Sequence, residues 1–279
     1  MRLRHARGVL ELTEPVVMGV LNVTPDSFSD GGQFLDPARA LEQARRLRDE
    51  GAVIIDIGGE STRPGAAAID DDTELARVLP LVRQLGRDSG LLISVDTSSP
   101  LVMRAVIDAG AAIINDVRAL QRPAALATVA ATGVAVILMH MQGDPDRMQH
   151  DPSYGDAVSE ISAFLHARVL ACEAAGIARD RIAIDPGFGF GKSIEHNLQL
   201  LAQLGRFRAQ DCALVAGLSR KSMLQSLTGR AVNERLHGSV ALAALAVLNG
   251  AMIVRAHDVA ATLDAVRIAA AVRRQGVDT

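Results

Sequence analysis

The sequence predicts an α/β protein of one domain, residues 1–279, folded as a closed (β/α)8 barrel of the TIM type. Three observations predict this fold. Eight short apolar runs rich in Val and Ile recur along the 279 residues, amphipathic segments separate them, and polar residues follow the runs. Runs that are continuously apolar, without alternation, are typical of parallel strands covered on both faces. An open, doubly wound sheet built from the same units is the alternative.

The apolar runs and the segments between them set the expected order of elements. We expect strands at residues 16–21, 53–57, 91–95, 111–114, 134–139, 182–184, 213–216 and 252–254. Between the runs, apolar residues recur at helical spacing with charged residues opposite, as in helices packed on a sheet. The clearest helical segments are residues 37–50, 101–109, 161–175 and 258–274. Because no polar linker or internal repeat interrupts the series, we expect one barrel and not two domains.

The composition excludes several classes of protein. A hydrophobic fraction of 49% and a charged fraction of 22% are typical of a chain with a large core and not of a disordered chain. The net charge of −3 argues against a basic nucleic-acid binder, because neutralising phosphates requires a surplus of Lys and Arg. With 3% aromatic residues and no Trp, a stacking platform for single strands is not expected either.

The sequence also predicts a soluble, cytoplasmic protein. Cys172 and Cys212 fit neither a zinc spacing nor a disulfide framework, which favours two buried thiols in a reducing compartment. The basic residues at the amino terminus lead into no apolar segment, so no signal peptide is expected. The longest apolar stretch, residues 239–254, contains Asn249 and Gly250 and is shorter than a membrane span.

Polar residues gather at the carboxyl ends of the expected strands. In a barrel these ends meet at one mouth, where enzymes of this fold carry out their chemistry. A single residue such as Asp56 or Asp116 is more often a turn or cap residue, and His140 alone is more often bonded to backbone. Capping does not explain the whole set. The set is Asn22, Asp56, Asp96, Asn115, Asp116, His140, Asp185, Ser219, Lys221, Arg255 and His257.

Two glycine-containing loops follow expected strands. Residues 22–32 (NVTPDSFSDGG) form a long loop, in which the Gly pair and Phe28 favour a mobile lid over an ordinary surface loop. Residues 185–193 (DPGFGFGKS) suggest a nucleotide site but fail on spacing. A P-loop would need Gly in place of Pro186, and a dinucleotide fingerprint would need Gly in place of Lys192. The glycines of this second loop are expected to let a flat ligand lie against the backbone.

A third loop predicts an anion site. Residues 58–65 (GGESTRPG) combine two glycines, which allow close backbone approach, with the donors Thr62 and Arg63. Alone this is a weak signal. Together with Arg255 and His257 across the mouth, it predicts a cationic rim suited to a phosphate or pyrophosphate.

Three further strand-end residues suit the edge of a flat heterocycle. Asp96, Asn115 and Asp185 have no metal-site spacing, but a carboxylate can accept two adjacent N–H groups of an aminopyrimidine. Lys221 can donate to a ring atom, and the segment that ends at Ser222 is expected to open a helix. A Schiff-base lysine, as in aldolase-type barrels, is the alternative role for Lys221.

Taken together, these motifs resemble those of one family, the dihydropteroate synthases. The resemblance spans nearly the whole chain and rests on two long motifs, residues 21–32 and 56–65. Shorter matching segments are residues 94–97, 114–116, 139–142, 185–192, 219–222 and 255–257. The resemblance implies a homodimeric (β/α)8 barrel that condenses 6-hydroxymethyl-7,8-dihydropterin pyrophosphate with 4-aminobenzoate. The products would be 7,8-dihydropteroate and pyrophosphate, in folate biosynthesis, and sulfonamides would occupy the aminobenzoate site.

The resemblance also implies roles for individual residues. Mg²⁺ would accompany the pyrophosphate, with Asn22 as its protein ligand. The residues implied for the pterin are Asp96, Asn115, Asp185, Lys221, Met139, Phe190 and Gly217. Those implied for the pyrophosphate are Thr62, Arg63, Arg255 and His257. Those implied for 4-aminobenzoate are Phe28, Pro64, Lys221 and Ser222. Catalytic roles are expected for Asp30, Arg63, Lys221 and His257.

A dissociative mechanism follows from the chemistry of these substrates. Pyrophosphate leaves easily once its charge is neutralised, and the electron-rich pterin stabilises the carbon cation left behind. The aminobenzoate amine is neutral and nucleophilic, so no strong base is needed. Asp30 is expected to bond Arg63 or His257 and close the site. Two alternative functions are a methyltetrahydrofolate methyltransferase, which needs no anion clamp, and a non-catalytic pterin binder, which needs neither clamp nor lid.

Overall fold

The protein forms a closed barrel of eight parallel strands, which confirms the predicted fold. The structure is a computed structural model that describes residues 1–24, 37–61, 69–86, 90–144, 148–149 and 151–276. A hairpin of β1 (Arg2–His5) and β2 (Gly8–Glu11) precedes the barrel. The barrel strands are β3 (Val16–Asn22), β4 (Ile54–Gly58), β5 (Leu92–Asp96), β6 (Ile113–Asp116), β7 (Ala135–Met139), β8 (Ile182–Asp185), β9 (Ala213–Ala216) and β10 (Ile253–Ala256). They pair in chain order, and β10 closes the barrel on β3.

Helices follow the strands and cover the outside of the barrel. The described helices are α1 (Pro37–Asp49), α2 (Asp71–Leu85), α3 (Pro100–Asp108), α4 (Ala125–Ala130), α5 (Ala157–Ala174), α6 (Ile194–Ala202), α7 (Met223–Thr228), α8 (Leu236–Leu248) and α9 (Val259–Arg274). The four predicted helices are confirmed. The helix predicted at 161–175 begins earlier, at Ala157, because the Asp156 side chain caps it by accepting the N–H groups of Val158 and Ser159.

The barrel strands lie within two residues of their predicted positions, and most extend further toward the carboxyl side. β5 continues onto Asp96 and β8 onto Asp185, although sequence hydrophobicity ends one residue earlier. The strand ladder therefore includes the polar side chains at the mouth. Since ladder hydrogen bonds fix backbone position, these side chains start from rigid elements and not from loops.

Two apolar layers stabilise the fold. One fills the barrel near the amino ends of the strands and includes Met18, Ile54 and Ile253. The larger layer lies between the strands and the helices. Leu3 in β1 and Leu12 directly after β2 are 0% and 1% exposed and belong to the inner layer. The hairpin, which was not predicted from the sequence, thus covers the amino end of the barrel and leaves the opposite mouth for ligands.

The longest apolar stretch of the sequence is divided between two elements. Residues 239–254 form most of α8 and the beginning of β10. Among the helices that the structure describes, none combines the length and the apolar character needed to cross a membrane.

Candidate active site

Polar residues predicted at the strand ends meet at the carboxyl mouth of the barrel. In the strand register, Asn22 lies opposite Gly58, and Gly58 lies opposite Asp96. Asp96 in turn lies opposite Asn115. Further round the barrel, Asp185 pairs with Met139, another residue implied for the pterin. The barrel therefore places side chains that are far apart in sequence in one ring.

Asp56 is the centre of a buried hydrogen-bond network below this ring. Its side chain is fully buried, and Oδ1 accepts a 2.6 Å hydrogen bond from the Ser94 hydroxyl. Oδ2 accepts from Asn115 Nδ2 at 3.1 Å and from Arg255 Nε at 2.7 Å. Because a carboxylate only accepts, this contact fixes the Asn115 amide orientation and leaves its Oδ1 for a ligand. Asp56 therefore positions Asn115 and Arg255, whereas the sequence alone favoured a turn or cap role for it.

Arg255 joins two carboxylates at the mouth. Besides its bond to Asp56, it donates from Nη2 to Asp96 Oδ2 at 3.1 Å. Burial raises the pKa of Asp96, and the Arg255 charge opposes that rise. Among the described residues, the Nη1 group of Arg255 has no hydrogen-bond partner. Arg255 therefore orients the two carboxylates and keeps one donor group for a ligand.

Asp185 faces Arg255 across a gap at Gly217. The N–H of Gly187 donates to Asp185 Oδ1 at 2.7 Å. Burial raises the pKa of Asp185, and the charges of nearby Lys and Arg side chains oppose that rise. A Cβ added at Gly217 would lie 3.9 Å from both Asp185 Oδ2 and Arg255 Cδ. The missing side chain thus leaves open the space between an acceptor and a cation, which suits the edge of a flat ligand.

An apolar platform lies beside these polar groups. Val117, Met139, Met148 and Phe190 form a separate buried cluster. The Lys221 ammonium lies 4.0 Å from the centre of the Phe190 ring, a cation–π contact. Burial lowers the pKa of Lys221 to about 8, so the amine is mainly protonated at neutral pH. Met139, Phe190 and Lys221 were predicted, whereas Val117 and Met148 carried no sequence signal.

His257 lies beside the network as a neutral imidazole. Burial, followed by the charge of Arg255, lowers the pKa of His257 to about 3. Its Nδ1 lies 3.1 Å from the Ser219 hydroxyl, which also accepts the His257 N–H at 3.2 Å. If the hydroxyl donates to Nδ1, the other ring nitrogen carries the proton and can donate to a ligand. At neutral pH this residue therefore offers a hydrogen bond to an anion but no positive charge.

The loop from β9 to α7 carries Lys221 and Ser222. Arg220 has a φ of +58°, and its side chain donates to Asp258 at 2.5 Å and 3.0 Å. Buried Arg235 donates to the Arg220 carbonyl at 3.0 Å and so holds the loop from below. Ser222 is exposed at the start of α7, which confirms that this segment opens a helix.

Comparison with known proteins identifies the family. The family described as pterin binding enzyme matches residues 18–257. The dihydropteroate synthase of Escherichia coli (strain K12) is 48% identical over 259 residues, which cover 93% of this chain and 92% of that protein. The chain belongs to the dihydropteroate synthase family. The resemblance seen in the sequence motifs is thereby confirmed.

Solved structures of this family have the same fold. A Yersinia pestis dihydropteroate synthase with a sulfonamide drug complex superposes with a TM-score of 0.93 at 48% identity, covering 98% of this chain and 100% of that one. The Xanthomonas albilineans enzyme with 4-aminobenzoic acid gives 0.92 at 49% identity, covering 99% and 100%. The same enzyme in complex with 7,8-dihydropteroate gives 0.89 at 46% identity, covering 99% and 100%.

Five residues that the dihydropteroate synthase resemblance implies lie outside the described residues. They are Phe28, Asp30, Thr62, Arg63 and Pro64. The lid and half of the anion clamp therefore remain predictions. The other residues implied for the pterin and for the pyrophosphate lie at the mouth, on strands or within a few residues of a strand end.

Asn22 fits a magnesium ligand by its donor type and place. A Cβ added at Gly58 would lie 3.6 Å from Asn22 Oδ1 and 3.7 Å from the Asp96 Cβ, so this oxygen lies at the mouth beside the pterin residues. Within the described part of the chain, no group of three or more His, Cys, Asp or Glu could hold a metal by itself. A single amide oxygen such as Asn22 Oδ1 is a ligand type that Mg²⁺ accepts, because Mg²⁺ commonly takes one or two protein oxygens and completes its shell with water and substrate phosphates.

Proposed function

We propose that this protein condenses 6-hydroxymethyl-7,8-dihydropterin pyrophosphate with 4-aminobenzoate at the carboxyl mouth of its barrel. The products are 7,8-dihydropteroate and pyrophosphate, so the enzyme is an alkyl-transferring transferase of folate biosynthesis. One observation carries the proposal. In a chain 48% identical to a dihydropteroate synthase, Asp96, Asn115 and Asp185 lie around one mouth next to an apolar platform.

Recognition of the pterin follows from that arrangement. Asp185 and Asp96 offer carboxylate oxygens to the N–H groups on the pyrimidine edge, and the oriented Asn115 amide offers its Oδ1. The flat ring packs on the platform of Met139 and Phe190. Bonds to charged acceptors inside a water-poor site contribute more than the same bonds in water.

Departure of pyrophosphate is the step at which the anion site acts. Arg255 retains one donor group, and neutral His257 donates a hydrogen bond, while Thr62 and Arg63 complete the clamp from the third loop. These donors stabilise the charge that develops on the leaving group. Bound Mg²⁺, held by Asn22 and the diphosphate, would add Lewis-acid neutralisation of the same charge.

Attack by 4-aminobenzoate comes second in the proposed sequence. The pterin-linked carbon becomes cationic as its bond to the pyrophosphate oxygen breaks, and the neutral aromatic amine adds to it. The new ammonium nitrogen then releases one proton to solvent or to the departing pyrophosphate. Lys221 and exposed Ser222, on the loop after β9, are proposed to contact the aminobenzoate. Phe28, Pro64 and Asp30 are proposed to cover it from the other loops. No side chain has to remove a proton before the bond forms, because the amine is already nucleophilic.

We also propose a homodimer formed through the outer faces of α8 and α9. These helices pack on each other, yet Leu245 on α8 is 46% exposed. Ile268 and Val272, one helical turn apart on α9, are 66% and 53% exposed. Large apolar side chains that are this exposed favour burial against a second copy of the chain. An Ile268→Glu protein should elute as a monomer, and an unchanged dimer would move the interface elsewhere.

A cytoplasmic location is also proposed. Cys172 and Cys212 are both free and buried, as expected in a reducing compartment. The oxidation state of the two thiols in protein taken directly from cells is the relevant measurement.

Mass spectrometry of the reaction mixture tests the proposed activity. Both substrates with Mg²⁺ should yield 7,8-dihydropteroate, and chelation of the metal should suppress it. The matched control is Asp185→Asn, which keeps the side-chain shape but weakens the pterin contact. Pterin binding without any product would point to a non-catalytic binder. Borohydride trapping of substrate on Lys221 would point to Schiff-base chemistry.

A further inference from the structure

Lys192 is a buried amine that the proposed reaction does not use. Its side chain is 3% exposed, on the loop between β8 and α6. Its Nζ lies 2.9 Å from the Phe190 carbonyl, 3.3 Å from the His140 carbonyl and 3.0 Å from His140 Nδ1. Among the described residues, no carboxylate lies within ion-pair distance of this amine. A buried charge without a direct counter-ion is costly, so the hydrogen-bond acceptors around this amine must offset part of that cost.

The amine sits where the β8–α6 loop presses against the end of β7. Gly187 and Gly191 have φ angles of +72° and +64°. A Cβ at Gly187 would collide with the His140 carbonyl, and one at Gly191 with the Gln142 carbonyl. Lys192 therefore bonds both sides of a contact in which two backbone segments touch. One side carries Phe190, the pterin platform.

The charge of Lys192 also reaches the pterin carboxylate. The nearby positive charges that favour ionised Asp185 are those of Lys221, Arg255 and Lys192. His140, which Lys192 contacts directly, contributes no charge at neutral pH, because burial and the Lys192 charge lower its pKa to about 3. Lys192 thus bonds the Phe190 carbonyl and also His140, whose N–H donates to the Asp185 carbonyl at 3.0 Å.

We propose that Lys192 is a positioning residue for the pterin site, which holds Phe190 in place and supplies a positive charge near Asp185. The proposal rests on the proposed function, because it assumes that Asp185 must be ionised to accept the pterin N–H groups. Lys192 itself touches no substrate. It acts through the two residues that do.

The proposal predicts the direction in which ligand affinity changes with pH. Burial lowers the pKa of Lys192 to about 7, with Asp185 opposing the shift and Lys221 adding to it, so Lys192 is mostly charged below neutral pH. There its charge holds down the pKa of Asp185, which burial would otherwise raise further. Without that charge, Asp185 takes up a proton at higher pH. Ligand affinity should then fall earlier as the solution is acidified.

The experiment measures binding of 7,8-dihydropteroate by calorimetry between pH 5.5 and 8.5. Lys192→Gln keeps a hydrogen-bond donor without the charge, and Lys192→Met keeps neither. We expect Lys192→Gln to bind about tenfold more weakly than the unaltered protein at pH 6, because the charge that favours ionised Asp185 is gone, and nearly normally at pH 8.5. Lys192→Met should bind dihydropteroate more weakly than Lys192→Gln at every pH, because it also lacks the hydrogen-bond donor. Lys192→Arg, which keeps a positive charge, should restore normal binding at acid pH.

A control separates charge coupling from loss of structure. In an Asp185→Asn background the carboxyl group is absent, so Lys192→Gln should cause no additional acid-dependent loss. The proposal would be overturned if a folded Lys192→Gln protein bound dihydropteroate at acid pH as tightly as the unaltered protein does. It would also be overturned if Lys192→Gln caused the same acid-dependent loss of affinity in the Asp185→Asn background. If the unaltered protein fails to bind dihydropteroate at all, the proposed function fails instead.

A direct titration covers the case in which the neutral variants do not fold. The carboxyl ¹³C shift of Asp185 in the unaltered protein should show a second inflection at the pH where the Lys192 ε-carbon titrates. An Asp185 titration that is insensitive to Lys192 would contradict the coupling. This measurement requires no bound ligand and so does not depend on the enzymatic activity.

Discussion

Replacing Asp56 by Asn should disturb both stability and pterin binding. The change keeps the shape of the side chain but removes the charge that accepts from Ser94, Asn115 and Arg255. An amide has one accepting oxygen, so at least one of these donors loses its partner. Breaking a buried ion pair costs about 3–5 kcal/mol when the remaining charge is left alone. Arg255 keeps Asp96 as its second partner, so we expect a loss of about 2–3 kcal/mol in the free energy of unfolding.

Two assays and a control make this prediction specific. Urea denaturation gives the free energy of unfolding, and calorimetry with 7,8-dihydropteroate gives the affinity. Affinity should fall by about tenfold or more, because Asn115 and Arg255 lose their fixed orientation. Ser94→Ala removes one hydroxyl donor from the same carboxylate and should cost only about 1 kcal/mol of stability. An Asp56→Asn protein as stable as the unaltered one, with unchanged affinity, would refute the positioning role of Asp56.

Three further predictions address the other side of the mouth. Asp185→Asn should weaken pterin binding by about 2–4 kcal/mol in calorimetry, because a charged acceptor becomes a mismatched donor; unchanged binding would remove Asp185 from the pterin contacts. Gly217→Ala should leave the melting temperature nearly unchanged, since the new methyl has ordinary contacts, yet raise the KM for the pterin substrate by filling the gap; a normal KM would place the ligand elsewhere. The kcat/KM profile should decline above pH 8 as Lys221, with a pKa of about 8, loses its proton; Lys221→Arg should remove that decline, and a decline that persists would assign it to another group.

The sequence predicted the barrel well because burial acts on contiguous residues. Strands such as β9, predicted at 213–216 and observed at Ala213–Ala216, are apolar on both faces. The hairpin of β1 and β2 escaped prediction, because few apolar side chains anchor it and no periodic pattern marks two such short strands.

Asp56 and Asp116 show why the site was less predictable. Both were interpreted as cap or turn residues. For Asp116 this is correct, since it accepts the N–H groups of Arg118 and Leu120, two and four residues along the chain. Asp56 instead bonds residues 38, 59 and 199 positions away. Local sequence determines a turn, but only closure of the barrel brings those distant donors to Asp56.

His140 shows the same limit. Its ring was expected to bond backbone, whereas it receives the Lys192 amine, 52 residues later in the chain. The same loop contains the glycines that suggested a nucleotide motif. Their role is close contact with β7, which spacing rules for phosphate loops do not describe.

Because the ring at the mouth draws on seven of the eight strands, from Asn22 on β3 to Arg255 on β10, the site exists only when the last strand docks on the first. A chain arrested before that final pairing has no place for substrate. Occupancy should therefore protect the molecule against global unfolding and leave local fraying untouched. Ligand-induced protection in amide exchange should accordingly extend to strand backbones far from the mouth, and dihydropteroate should serve as a reporter of completed assembly.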